Sequence, residues 1–191
     1  MRGTLHLVCG PSGVGKDTLI DAARAARPDL VAPRRVVTRP AEAGGEAHRA
    51  VDPAAFEAME ARGAFLLSWR AHGLAYGIPA EAGAALAEGR HVLANVSRAV
   101  VDEARARAAP VRVLLVTAPA EALARRLAAR GREAEAEIAR RLARAELEGP
   151  TGPDVTTVVN DDLAAATAAF LAALAPPIPA AARGPEPETL R

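Results

Sequence analysis

The stretch "GPSGVGKDT" occupies residues 10–18, directly after the apolar run "LHLVC". Gly10 and Gly15 bracket Pro11, Ser12, Gly13 and Val14, and Lys16 follows. Gly, four residues, then Gly-Lys is the spacing of a phosphate-binding loop, whose backbone N–H groups curl round an anion at the positive end of a helix. Glycine at 10, 13 and 15 lets the backbone curl without Cβ clashes. Lys16 would bridge the β- and γ-phosphates of a nucleotide. The next position ordinarily holds Ser or Thr, whose hydroxyl serves magnesium. Here it is Asp17, and the hydroxyl of Thr18 comes one residue later. Aspartate is a hard oxygen ligand, so Asp17 is expected to meet Mg2+ directly or through water, adding one negative charge beside the metal. Thr18 is expected to reach a phosphate oxygen.

The composition sharpens the expectation for Lys16. Of 24 cationic residues it is the one lysine, and the other 23 are arginine. A compact ammonium on a flexible stem fits between two phosphates, where a planar guanidinium would crowd the loop. The formal net charge of +1 gives no global case for nucleic acid. No signal segment or membrane span is visible, and the lone Cys9 allows no internal disulfide. A cytoplasmic protein is expected, with Cys9 a small core residue. No His, Cys and acid spacing suggests zinc, and His6 and His91 read as structural.

Phosphate loops serve GTPase switches, ATPase motors and small kinases. With one lysine there is no Asn-Lys-x-Asp guanine motif. No acid ends the apolar runs "HVLANV" (91–96) or "VRVLLVT" (111–117), so the strand-borne magnesium aspartate of the motors is absent there. A small kinase using ATP remains. A kinase also needs mobile cations that close over the transferring group and exclude water. Residues 125–146 crowd arginines round an interruption: Arg130 and Arg132 flank Gly131, and Arg140, Arg141 and Arg144 follow.

The elements that must position these groups alternate. A buried strand at 4–9 leads through the loop into a helix ending near Arg27. A short strand is expected within 34–39, a loop over 40–52, and a helix from Asp52, an N-cap followed by proline. A hairpin follows round "AHG", then a helix over 79–88 closed by Gly89. Strands at 91–96, 111–117 and 156–160 are separated by helices near 99–108 and from Pro119 to Leu147. A final helix spans 161–174, with two acids in its first turn, and a proline-rich tail from 176 to 191 reads as disordered. This is the signature of an α/β fold of the P-loop type, a parallel sheet with helices on both faces. Residues 1–175 form the ordered domain, and the block at about 34–78 is an inserted mixed lobe beside the sheet's mouth.

The sequence resembles the guanylate kinase family over almost its whole ordered length. "GPSGVGKDTL" is similar to that family's phosphate loop. "VVTRPAEAGGE" resembles its Thr-Thr-Arg-x-Pro…Gly-Glu stretch, and "FLLSWRAHGLAYG" its Phe-x-Glu-Trp…Tyr-Tyr-Gly hairpin. "RGREAEAEIARRLARA" resembles its lid, and "VVNDDL" its penultimate strand and final helix. The resemblance implies that the lobe binds the acceptor and that a lid at about 130–141 closes over it.

Three departures point away from guanine. Ser68 replaces the acid before Trp69, "ANVSR" (94–98) replaces an Asp-x-Asp, and the phosphate-holding tyrosine falls near His48. A guanine pocket wants acceptors, and one without its carboxylates leaves donors unpaired. Arg98 and His72 bring cationic character instead. "GPSG-x-GKD", "SW-x-A-x-GL-x-YG", "N-x-SRA" and "RGRE…EI-x-x-RLARA" resemble the ribose 1,5-bisphosphate phosphokinases associated with phosphonate breakdown. That resemblance implies transfer from ATP to ribose 1,5-bisphosphate, giving ADP and 5-phosphoribosyl 1-diphosphate. It implies Arg39, Arg98 and Tyr76 on the acceptor phosphates. Ser68 and His72 are weighed equally as acceptor contacts and as hairpin packing. The catalytic cations are Lys16 with Arg130 or Arg132 and Arg140 or Arg141, and Asn160 and Asp161 lie near adenine. A guanylate kinase and a non-catalytic binding module of the same fold are the rival readings.

Overall fold

The computed structural model describes residues 2–40, 48–129 and 149–176. The run "LHLVC" forms β1 (Leu5–Cys9), buried along its whole length, as a strand covered on both faces must be. It lies between β6 (Val92–Asn95) and β7 (Val111–Thr117), and β8 (Val155–Val159) pairs outside β7. All three pairings are parallel. Val31 adds a single bridge to Val92 on the outer edge of β6.

Alternate residues feed opposite faces of this sheet. Leu5, Leu7, Ala94 and Val113 join one core with α3 (Glu81–Ala87) and α4 (Val101–Arg107). Val8, Leu93, Leu114, Val116 and Val158 join the other, against α1 (Lys16–Ala26) and α6 (Leu163–Ala173). Leu19 and Ala23 of α1 and Phe170 of α6 are fully buried there. The expected P-loop architecture, helices on both faces of a parallel sheet, is what the chain adopts.

A second sheet runs in the order β3, β2, β5, β4. Here β2 (Val36–Val37) is parallel to β3 (Arg49–Ala50) and antiparallel to β5 (Leu74–Pro79), and β4 (Phe65–Ala71) closes the hairpin. α2 (Pro53–Ala61) starts as expected: Asp52 Oδ1 accepts from the Ala55 N–H at 2.8 Å and Pro53 takes the first helical position. Its Phe56 and Met59 pack on Val36 and Ala75, with Phe56 stacked on Phe65 at 4.7 Å.

Several boundaries shift. β3 lies inside the stretch expected to be loop, and two exposed residues are too short to show a period. β5 runs to Pro79, so α3 begins only at Glu81. The helix near 99–108 opens as a 3-10 turn, Arg98–Val100, capped by the Ser97 hydroxyl. Asp161 and Asp162 stand ahead of α6, and Asp162 caps it by accepting from the Ala165 N–H at 2.8 Å. α5 spans Ala120–Ala129, and the remainder of the expected helix to Leu147 lies outside the described residues.

His6 and His91 are buried and bonded at the sheet's far end. His6 Nε2 accepts from the Ala175 N–H at 2.9 Å, and His91 Nε2 donates to the Pro176 carbonyl at 2.9 Å. Arg27 and Arg112 donate to the carbonyls of Ala175 and Ala173. The start of the proline-rich tail is therefore docked, while 177–191 lie outside the described residues. Among the described residues no helix is long and apolar enough to cross a membrane.

Candidate active site

β1 ends at Cys9 and the chain turns at once into the glycine-rich loop. Gly10, Gly13 and Gly15 take φ of 144°, 85° and 96°, where a side chain is strained. Gly10 is doubly constrained, because a Cβ there would fall on the Val116 carbonyl oxygen. Val14 is fully buried and roots the loop in the core beneath α1. α1 begins after Gly15 with no side-chain cap, so no capping oxygen competes for its first N–H groups, the condition for receiving a phosphate. Lys16 folds back over the loop, its Nζ donating to the carbonyls of Gly10 at 2.9 Å and Pro11 at 2.8 Å. Ser12 and Thr18 are exposed on the same turn.

Asn160 holds the loop from the β8 side. Its backbone N–H continues the β7–β8 ladder to the Thr117 carbonyl at 2.7 Å. Its Nδ2 then reaches the Val14 carbonyl at 2.7 Å, and a Cβ at Gly15 would press on that amide. Arg126 of α5 secures the junction, donating to the Asn160 carbonyl at 2.8 Å. The Asn160 carboxamide is thus buried and turned onto the loop, a clamp that the expected placement of Asn160 near adenine did not include. Asp161 is exposed beside it.

Asp17 is exposed in the first turn of α1, and Asn95, the last residue of β6, donates from Nδ2 to its Oδ1 at 3.1 Å. The buried Asn95 escaped sequence reasoning, which asked whether that strand ends in an acid and passed over an amide. Arg98 lies just beyond. Burial pushes the Cys9 thiol up to about 11, and the nearby charges of Lys16 and Arg98 oppose that rise. Lys16 belongs to α1 and Arg98 to the 3-10 turn that follows β6. Cys9 itself is a buried core residue, as expected.

The second sheet brings further cations to the same side. Tyr76 pairs with Trp69 across the hairpin, their rings stacked at 5.3 Å and 7°. Both pack on the core that holds Cys9, Val96 and Val100, at the carboxyl ends of β1 and β6. The Arg35 guanidinium lies over the Tyr76 ring at 5.5 Å. Val37 pairs with Tyr76, so alternation puts Arg35 on that face, a signal present in the spacing but not weighed. Arg39 Nη2 donates to His48 Nδ1 at 3.3 Å, and His48 Nε2 donates back to the Arg39 carbonyl at 3.1 Å. The Arg39 Nε–H is buried with no hydrogen-bond partner.

The hairpin also carries Ser68 and His72. Ser68 pairs with Gly77, on the face opposite Tyr76, and its Oγ donates to Glu60 Oε1 of α2 at 2.5 Å. Arg70 forks the same carboxylate at 2.6 and 3.1 Å. Hydrogen bonds from Arg70 and Ser68 hold Glu60 down to about 2. Ser68 is thus bonded to this ion pair in the structure. A cavity of about 310 Å³ lined by Thr38, Phe56, Glu57, Arg70 and Leu74 opens on this outer face, not at the loop. Exposed, with φ 53°, His72 forms with Gly73 at φ 73° the two-residue link between Ala71 and Leu74 in the expected hairpin turn. Arg130, Arg132, Arg140 and Arg141 lie outside the described residues.

The donor set suits magnesium. Among the described residues no group of three or more His, Cys, Asp or Glu could hold a metal unaided. Magnesium at a nucleotide usually takes one or two carboxylates, with phosphates and water completing its shell. Asp17, oriented by Asn95 beside the loop, fits that requirement.

No protein-family model matches the chain. Its fold is similar to that of a guanylate kinase from Anaplasma phagocytophilum, with a TM-score of 0.63, 19% identity, and coverage of 90% of this chain and 84% of that one. A gluconokinase from Sinorhizobium meliloti gives 0.51 at 20% identity, over 90% and 91% of the two chains. Among curated relatives, "Ribose 1,5-bisphosphate phosphokinase PhnN" of Methylobacterium radiotolerans is 51% identical over 91% of this chain and 97% of its own length. The protein of that name from Rhodopseudomonas palustris is 51% identical over 85% and 84%. The "Bifunctional ribose 1,5-bisphosphokinase-thymidine phosphorylase" of Cupriavidus necator is 49% identical over 90% of this chain, which spans only 29% of that longer protein. A match of this identity along nearly the full length of the Methylobacterium protein, with the phosphate loop intact, shows that the chain belongs to the ribose 1,5-bisphosphate phosphokinase family, on a guanylate kinase-like fold.

Proposed function

We propose that this protein transfers the terminal phosphoryl group of ATP to ribose 1,5-bisphosphate, giving ADP and 5-phosphoribosyl 1-diphosphate. The observation that carries the reading is the intact phosphate loop with Lys16 folded over it, beside the Tyr76 ring that lies under the Arg35 guanidinium and packs on the core at the carboxyl ends of β1 and β6. Two polyanions must be brought together, and the cations come from the loop, the β6 exit and the lobe. An oxygen of the sugar's 1-phosphate attacks the γ-phosphorus, and the bond from that phosphorus to the β-phosphate oxygen breaks with ADP leaving. The attacking oxygen is already anionic near neutral pH, so no general base is required.

Residues 10–18 cradle the donor, and Lys16 moves from its loop carbonyls to the β- and γ-phosphates. Asp17 would hold magnesium, whose charge would offset that of the phosphates. Arg39, braced by His48, and Arg98 take acceptor phosphate oxygens, with Tyr76 donating its hydroxyl. Arg35 is added to this set, its guanidinium kept flat by the Tyr76 ring and its fork suited to the second phosphate. The lobe at about 34–78 is the acceptor lobe, and the lid at about 130–141 supplies Arg130 or Arg132 with Arg140 or Arg141. The reaction belongs in the cytoplasm, where ATP and phosphorylated pentoses are held. An ADP-release assay run side by side with ribose 1,5-bisphosphate and GMP tests the reading. Turnover confined to the sugar bisphosphate is expected, and turnover confined to GMP would overturn it.

A further inference from the structure

P-loop NTPases commonly divide magnesium between a hydroxyl just after the loop lysine and an aspartate borne on a strand. In this chain the first position is Asp17 and the neighbouring strand β6 ends in Asn95. The two side chains touch, Asn95 Nδ2 donating to Asp17 Oδ1 at 3.1 Å. Asn95 is 7% exposed and stands in register with Val8 of β1, two residues before the loop opens. We propose that the metal carboxylate has been exchanged between elements: Asp17 on α1 carries the charge that a strand-end aspartate would carry, and Asn95 is the positioning residue that aims it. The inference rests on the reading above that Asp17 serves magnesium.

Charge and geometry both favour an exchange over an added acid. A hydroxyl with a carboxylate, and a carboxylate with an amide, each present one negative charge and hard oxygens. Asp17 therefore does not raise the site's negative charge above the common arrangement; it relocates it, which corrects the expectation drawn from the loop alone. Two carboxylates at the Asp17–Asn95 separation would repel, and one would hold a proton. An amide at 95 removes that conflict and supplies a donor. Aspartate at 17 and an amide at 95 thus require each other, although 78 residues separate them.

The test measures metal binding in the absence of any acceptor. Mn2+ is titrated by electron paramagnetic resonance into protein saturated with ADP, for wild type, Asp17→Ser, Asn95→Leu and the double variant Asp17→Ser with Asn95→Asp. Asn95→Leu, which keeps the carboxylate but not its partner, should weaken Mn2+ about tenfold, as lost outer-shell partners do. Asp17→Ser should weaken it at least as much, and the double variant should recover most of that loss. A double variant no better than Asp17→Ser, or wild-type Mn2+ affinity in Asn95→Leu, overturns the exchange. Metal-free ADP affinity and thermal melting check that each variant is folded, and the isosteric pair Asp17→Asn with Asn95→Asp replaces any that is not. Failure to phosphorylate the sugar would sink the proposed function and leave these outcomes unchanged.

Discussion

Acidification from pH 7 to pH 4.5 should destabilise the fold by about 2.5 kcal/mol through one side chain, His6. The imidazole has 0% exposure and is bonded at both nitrogens. Nε2 accepts from the Ala175 N–H, which leaves the Nδ1 hydrogen to be donated to the Val92 carbonyl at 3.2 Å. Burial lowers its pKa from 6.5 to about 4; the Val92 carbonyl opposes that, and the charges of His91, Arg112 and Arg27 add to it. A proton on Nε2 would also confront the Ala175 N–H. The unfolded chain takes up its proton as pH falls through 6.5, while the folded chain resists until about 4, so stability is present above 6.5 and is lost between the two values. At pH 4.5 the unfolded imidazole is two units below its pKa and the folded one half a unit above, which gives the figure stated at about 1.4 kcal/mol per unit. The Glu60 carboxylate, lowered from 4.5 to about 2, begins to lose its contribution only at the acid end of this window and does so equally in both proteins, so the comparison with His6→Leu cancels it. Urea denaturation at pH 7, 6, 5 and 4.5 measures the loss in wild type and in His6→Leu. The substitution lowers stability at every pH but removes the titration, so the two curves should converge toward pH 4.5. Parallel curves would refute the reasoning.

Lys16→Ala should leave the protein folded and cut turnover by about 10²- to 10³-fold, as loss of one transition-state donor does; steady-state kinetics with a melting curve decide. Asn160→Ala should cost about 1–3 kcal/mol by stranding the Val14 carbonyl and should raise the KM for ATP while sparing that for the sugar, which separates a loop clamp from an acceptor contact. Arg35→Met and Arg39→Ala should each raise the KM for ribose 1,5-bisphosphate, whereas Ser68→Ala should not move it. Glu60→Gln should change stability by less than about 1 kcal/mol, since the Glu60–Arg70 pair is substantially exposed.

The sheet and loop were legible because their signals are local. An apolar run with both faces buried, a glycine spacing and a proline after an N-cap each declare themselves within ten residues. The clamp on the loop was not: Asn160 lies 146 residues from its partner Val14, and only the β7–β8 register brings it there. β3 was hidden for the opposite reason, because two residues carry no period. His48 likewise meets Arg39 through a side-chain contact that carries no period.

Ser68 and Tyr76 show where local reasoning had enough information and stopped short. The hairpin and its "AHG" turn were expected, and a two-residue link at His72 and Gly73 fixes the register by counting back from the turn. Ala71 then faces Leu74, Arg70 faces Ala75, Trp69 faces Tyr76 and Ser68 faces Gly77. Directly opposed residues share a face and adjacent ones do not. Once Trp69 is assigned to the core, Tyr76 must lie beside it, and Ser68 and Arg70 must point the other way, toward α2. Ser68 and Tyr76 therefore leave the hairpin on opposite faces. What counting could not supply is the carboxylate that meets Ser68 there: Glu60 arrives as the last residue but one of α2, and Arg70 pairs with it. The place of the acid missing from the hairpin is thus held by a hydroxyl that meets the Glu60 carboxylate arriving from α2.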